Sequence, residues 1–199
     1  GREGLIYAGT EFGMFVSFDG GSNWQPLQRN LPVTPVTDLK VHRGDLVLST
    51  MGRGLWILDN VAALHQLARV EAKAQATLLF PRAAHRLRYD VMTGPADPQF
   101  IEPGAIIDYA LTADAAFSLR IEVLDAAGAV VRTFESGPPQ TAETAQSMRA
   151  PETRRLGAPR LSGKAGGHRF IWDLRHNGVP GFRGLGPMVA PGDYRLQVI

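Results

Sequence analysis

The sequence predicts an all-β chain: a partial β-propeller of one to two blades over residues 1–60, a helical linker over 61–76, and an immunoglobulin-like β-sandwich over 77–199. Leu5-Ile6-Tyr7-Ala8 followed by Gly13-Met14-Phe15-Val16 recurs as Leu46-Val47-Leu48-Ser49 followed by Gly54-Leu55-Trp56-Ile57, both halves displaced by 41 residues. A repeat of about 40 to 45 residues made of short strands is the mark of a propeller blade. Beyond residue 77 the β-rich runs lengthen and are separated by turn signals, the pattern of an immunoglobulin-like sandwich.

In chain order, strands are expected at Leu5 to Ala8, Gly13 to Ser17, Val36 to Val41, Asp45 to Thr50 and Gly54 to Asp59. No crossover helix fits between them, so the pairings are antiparallel. Val61, Leu64, Leu67 and Val70 recur at helical spacing behind Asn60, a helix-capping residue type, which predicts a short helix within 61–76. Further strands follow at His85 to Val91, Ala105 to Thr112, Phe117 to Leu124, Ala129 to Glu135, His168 to Leu174 and Asp193 to Ile199. Ile107, Tyr109 and Leu111 alternate with Asp108, Ala110 and Thr112, as in a sheet with one buried face. Asp125-Ala126-Ala127-Gly128 reads as a hairpin turn, with glycine supplying a positive φ. Residues 137–166, rich in Pro, Gly, Ala, Thr and Arg, read as a long flexible loop.

At 199 residues, 44% hydrophobic and 20% charged, the composition is that of globular protein. The net charge is +2 and the 18 arginines are scattered from Arg2 to Arg195, so no basic face for nucleic acid is expected. The absence of cysteine removes disulfides, thiolate metal sites and cysteine nucleophiles. No run approaches the roughly 18 apolar residues of a membrane-spanning helix. Gly1-Arg2-Glu3-Gly4 leads straight into a strand and Tyr194 to Ile199 reads as one arm of a hairpin, as expected of a piece of a longer protein.

Ser17-Phe18-Asp19-Gly20-Gly21-Ser22-Asn23-Trp24 reads as a locked turn. Asp19 is placed to accept N–H groups across it, Gly20 and Gly21 to take positive φ, and Trp24 to fold back and bury its ring. The pattern Ser17-x-Asp19-x-Gly21-x-Asn23-Trp24 resembles the Asp-box, or bacterial neuraminidase repeat, with Asn23 where threonine is commoner. With the segments Tyr7 to Gly13, Asn30 to His42 and Arg53 to Asp59, residues 1–76 look like the last blades of a bacterial Asp-box propeller of the sortilin-like, glycosyl-hydrolase-like group. The resemblance implies that the box lies on the blade periphery between third and fourth strands, away from any catalytic centre. The second repeat lacks the box, since Asn60-Val61 follows Leu58-Asp59. Gly167 to Arg175 and Val189 to Leu196 are similar to the Ig-like domain that follows such propellers.

What the resemblance implies is a secreted or periplasmic, non-catalytic scaffold that contacts protein or glycan, without cofactor. It leaves open a second reading, the accessory C-terminal part of a polysaccharide or sialoside glycosyl hydrolase whose catalytic residues lie upstream. Two repeats do not close a ring, whose sizes start at about four blades. The open blade edges therefore predict pairing with another copy of the chain or support from the sandwich.

A glycosidase needs two carboxylates about 5 to 10 Å apart. Glu11, Asp38, Asp45 and Asp59 are the acids available in the repeats; Asp38 and Asp45 sit at strand or turn positions that favour capping, and Glu11 lies in the gap between paired strands. No catalytic residue is assigned. Glu11, Arg53 and Trp56 are the binding candidates, although Trp56 aligns with Phe15 in the repeat, which favours a shared place in a blade core. His42, His65, His85, His168 and His176 show no metal-ligand spacing. No Gly-x-Ser-x-Gly elbow occurs, and Gly184-Leu185-Gly186 precedes Pro187 rather than a helix. Trp172, alternating with Phe170, is expected in the sandwich core; Pro191-Gly192 is expected as the centre of a type II turn and Tyr194 as a tyrosine corner.

Overall fold

The computed structural model describes residues 3–67, 74–86, 102–137, 159–178 and 186–199. The chain is mostly β and falls into two compact units, Gly1–Arg69 and Val70–Ile199.

The first unit holds two three-stranded antiparallel sheets: β1 (Ile6–Thr10), β2 (Gly13–Ser17) and β3 (Gln25–Pro26), then β4 (Val36–His42), β5 (Asp45–Thr50) and β6 (Leu55–Leu58). The two sheets close on one core, in which Met14, Leu46 and Leu48 are buried and Tyr7, Leu39, Trp56 and Leu58 pack against them. Gly9 lets them meet, because a Cβ there would lie 2.6 Å from Cγ1 of Val36. Helix α1 (Ala62–Leu67) adds Leu64 to this core, with Val61 buried just ahead of it. Asn60 stands at its start, with Oδ1 accepting the Ala62 N–H at 3.3 Å. The helix is shorter than the 61–76 segment: Ala76 already belongs to a strand, and 68–73 lie outside the described residues.

The 41-residue repeat maps β1 onto β5 and β2 onto β6, and where β3 would recur, at Gln66 and Leu67, the second half has the end of helix α1. The equivalence of Phe15 and Trp56 fails at the level of faces. Trp56 stands opposite Leu48 and packs on the core, whereas Phe15 stands opposite Ala8 on the outer face. Turn length is the cause. Thr10 pairs with Gly13 across a two-residue turn, but Thr50 bonds to Gly54 around three residues, and a one-residue slip exchanges the faces of a strand.

The second unit has the sheets β7 (Ala76–Leu78), β8 (Ala105–Leu111) and β11 (Gly166–Trp172), in order β11-β8-β7, and β9 (Arg120–Leu124), β10 (Val130–Glu135) and β12 (Arg195–Val198), in order β10-β9-β12. Ile107, Tyr109, Phe170 and Trp172 from one sheet and Ile121, Val123, Val131 and Phe134 from the other form a single core. The turn at Asp125 to Gly128 is tied by Asp125 Oδ1, which accepts the N–H groups of Ala127 and Ala129 at 2.9 Å, and Gly128 has φ 84°.

Three expectations change here. Residues 159–166 are anchored rather than loose: Leu161 is buried, and Tyr109 Oη donates to Ser162 O and accepts its N–H at 2.8 and 2.7 Å. Residues 138–158 lie outside the described residues, as do 87–91 of the strand expected at 85–91, and His85 and Arg86 are in no strand. Gly192 is not among the positive-φ glycines, so Pro191-Gly192 is not a type II turn, in which the glycine takes φ near +80°.

Candidate functional site

The Ser17–Trp24 turn is a closed hydrogen-bonded unit. Ser17, fully buried, donates through Oγ to Asp19 Oδ1 at 2.8 Å and accepts the Gly21 N–H at 2.8 Å. Asn23 donates its backbone N–H to Asp19 Oδ1 at 2.8 Å and its amide to Oδ2 at 2.6 Å. These bonds, the Asn23 amide foremost, pull the Asp19 carboxyl down to about 2. Gly20 and Gly21 adopt φ 73° and 97°, and the Gly20 N–H reaches Gly4 O at 2.9 Å. The carboxylate is thus spent on its own loop. Trp24 departs from the expected buried ring: it is 43% exposed, flanking Gly21 near Ile6, just ahead of β3, which among the described residues is an edge strand of two residues.

At the opposite end of the sheets the backbone gathers three segments. β1 runs into the turn Glu11-Phe12, β2 leaves it, and β3 returns, so residues 27–35 come back to that end. β4 leaves it and β5 returns, bringing the turn 51–53 alongside. Gln28 fastens the first turn: its amide donates to Leu31 O and Pro32 O at 3.0 and 3.1 Å and to Phe12 O at 3.5 Å, while Oε1 accepts the Met14 N–H at 3.2 Å. The second turn is fastened by Met51 N–H to Pro35 O at 2.9 Å and Thr34 Oγ1 to Met51 O at 3.4 Å. On this rigid rim stand Phe12, Val33 and Met51, which are 69%, 73% and 67% exposed.

Glu11 and Arg53 are exposed on the same two turns. Trp56 lies one strand position inside, with its indole N–H donated to Arg53 O at 2.9 Å and its ring against the core. The rim residues Phe12, Val33 and Met51 escaped the sequence reading. The available signal was large apolar residues inside turn segments, where solvent-facing side chains are usually polar.

The other acids serve local structure. Asp38 Oδ1 accepts the Leu39 N–H at 2.8 Å, and Asp45 Oδ1 accepts the Asn60 N–H at 2.9 Å. Among the described residues no three His or acidic groups gather as a metal site.

In the second unit Trp172 is 3% exposed, donates Nε1–H to Arg175 O at 2.9 Å, and meets Tyr194 edge to face at 74°. Tyr194 Oη donates to Ala190 O at 2.6 Å, closing the 190–194 corner. A cavity of about 550 Å³ beside residues 81–86 is bounded by Trp172, Tyr194 and Leu196.

These features define an all-β chain of small antiparallel sheets with a fixed apolar rim, and among the described residues no helix is long and apolar enough to cross a membrane. Comparison with family models, with curated proteins and with solved structures returned no match to this chain.

Proposed function

We propose that this chain is a non-catalytic scaffold and interaction segment of the exported Asp-box propeller kind, and that it binds a protein through the rim at Phe12, Val33 and Met51. The rim carries this reading: three large apolar side chains, each about two-thirds exposed, are held on backbone that Gln28, Thr34 and Pro35 make rigid. Clustered exposed apolar side chains on an ordered surface mark contact sites, and order present before binding lowers its entropic cost. Glu11 and Arg53 supply opposite charges at the margin, where they orient a partner more than they hold it.

Protein is favoured over glycan by side-chain shape. A sugar face stacks on a flat exposed aromatic ring, and the rim offers one phenyl ring beside Val33 and Met51, while Trp172 is buried. The experiment is selection from a random peptide library, in parallel with a glycan panel, on the full chain and on a Phe12→Ser/Val33→Ser/Met51→Ser variant. The chain is expected to enrich peptides with apolar anchors and the variant to lose them. Enrichment indifferent to the triple substitution, or binding confined to glycans, would refute the assignment.

A further inference from the structure

The sequence holds two pairs in which Asp or Asn precedes glycine, Asp19-Gly20 and Asn177-Gly178. In such a pair the glycine nitrogen lies within ring-closing reach of the side-chain carbonyl carbon before it, and no Cβ on the glycine shields it. At Asp19 the target is an ionised carboxylate held by Ser17 and Asn23, which resists a nucleophile. Asn177 offers a neutral amide with a leaving group, and it is exposed in the stretch 176–178, which belongs to no strand.

The fold holds Asn177 along β10. Its N–H donates to Val131 O at 3.0 Å, and its Oδ1 accepts the Thr133 N–H at 3.1 Å. The second bond bears on chemistry, because an N–H aimed at a carbonyl oxygen stabilises the negative charge that the oxygen gains when its carbon is attacked. Between Val131 and Thr133 stands Arg132, 4% exposed, with its guanidinium 5.6 Å from the Phe134 ring centre. Arg132 donates Nη1–H to His176 O at 2.7 Å, the carbonyl directly before Asn177. Its Nε is buried with no acceptor, and among the described residues no acid pairs with it. A cation so placed gains from any carboxylate brought near it.

We propose that Asn177 is a site of backbone-assisted deamidation in the folded chain, and that the aspartate formed there supplies a counter-charge to Arg132. The Gly178 nitrogen gives its proton to water and forms a bond to Asn177 Cγ. The Cγ–Nδ2 bond breaks, and the amide nitrogen leaves as ammonia, closing a cyclic imide. Water then adds to one imide carbonyl and reopens the ring to aspartate or isoaspartate. One water is consumed, one ammonia is released and one negative charge is gained. Aspartate leaves the main chain as it was, with a carboxylate in place of the amide that accepts the Thr133 N–H. Isoaspartate adds a carbon to the main chain between His176 and Gly178 and displaces the bonds to Val131 and Arg132.

The test incubates the full chain, folded, at neutral pH and follows the tryptic peptide 176–183 by mass spectrometry. Conversion is expected at Asn177 ahead of Asn23, Asn30 and Asn60, faster than in the same chain unfolded in guanidinium, and abolished by Gly178→Val. Thr133→Pro, which lacks the N–H that Oδ1 accepts, is expected to slow it several-fold. Circular dichroism checks folding, and if Thr133→Pro unfolds, the folded-against-unfolded comparison decides that arm. Asn177→Asp reads the product directly: its urea midpoint is expected above that of the unaltered chain at low salt, the gain shrinking near about 1 M salt, where charges act over only about 3 Å. Conversion slower in the folded chain than in the unfolded one, a rate unchanged in folded Thr133→Pro, or an Asn177→Asp midpoint at or below that of the unaltered chain would each overturn the proposal.

Discussion

Asn23 grips Asp19 twice, with its backbone N–H on Oδ1 at 2.8 Å and its side-chain amide on Oδ2 at 2.6 Å. Both bonds favour the ionised carboxylate, so folding lowers the Asp19 pKa from 3.8 to about 2. A group whose folded pKa is depressed contributes stability above its unfolded pKa, and the contribution disappears as pH falls through the folded value. Stability is therefore expected to decline between about pH 4 and pH 2. Carbon-detected NMR titration of the carboxyl checks this: the midpoint is expected near 2, and Asn23→Ala is expected to raise it.

Tyr7 Oη is buried without a hydrogen-bond partner among the described residues, and burial pushes its pKa up to about 12. A buried hydroxyl with no partner keeps its desolvation cost. Tyr7→Phe is expected to leave the fold intact and to be neutral or stabilising by about 1 kcal/mol in urea unfolding. A loss of more than that would show that the hydroxyl has a partner in solution.

Arg169 stands directly opposite Asp108 in the β8–β11 register, with Nε to Oδ1 at 2.7 Å and Nη2 to Oδ2 at 3.1 Å. The pair is mostly buried, so removing the Asp108 carboxylate takes two charge-assisted bonds and the opposing charge from Arg169 where water does not fully replace them. Asp108→Ala is expected to cost about 2 to 4 kcal/mol, while Asp108→Leu with Arg169→Leu recovers most of it. A double-mutant cycle in chemical denaturation measures the coupling.

Deleting Gly52 shortens the second hairpin turn to the two residues of the first. Thr50 and Gly54 still close the turn, now around Met51 and Arg53, so Leu48 stays opposite Trp56 and the faces of β6 are kept. The expected result is a loss of about 1 kcal/mol, because a two-residue turn of Met51 and Arg53 lacks the glycine such turns favour, with Trp56 fluorescence unchanged. A red-shifted spectrum would show that Thr50 and Gly54 no longer close the turn and that β6 has slipped by one residue.

The all-β character and most of the strands were legible from alternation and glycine punctuation; β3 and β7, of two and three residues, were not. The Ser17–Trp24 turn was legible as well, because its bonds join residues within a few positions of one another. The rim at Phe12, Val33 and Met51 was not, since it depends on β3 and β5 returning to one end of the unit. Burial of Leu161 was hidden for the same reason, as its core contacts come from strands far away in sequence.

By itself the sequence determined the 41-residue repeat, the glycine turns and the alternation that makes strands, all of which depend on near neighbours. Tertiary structure alone decided which alternate residues are covered. Met14 and Leu55 hold the same place in the repeat, but one is buried and the other open. Register is set by a single residue of turn length, and cover is set by which sheet lies above; neither is a property of the strand itself.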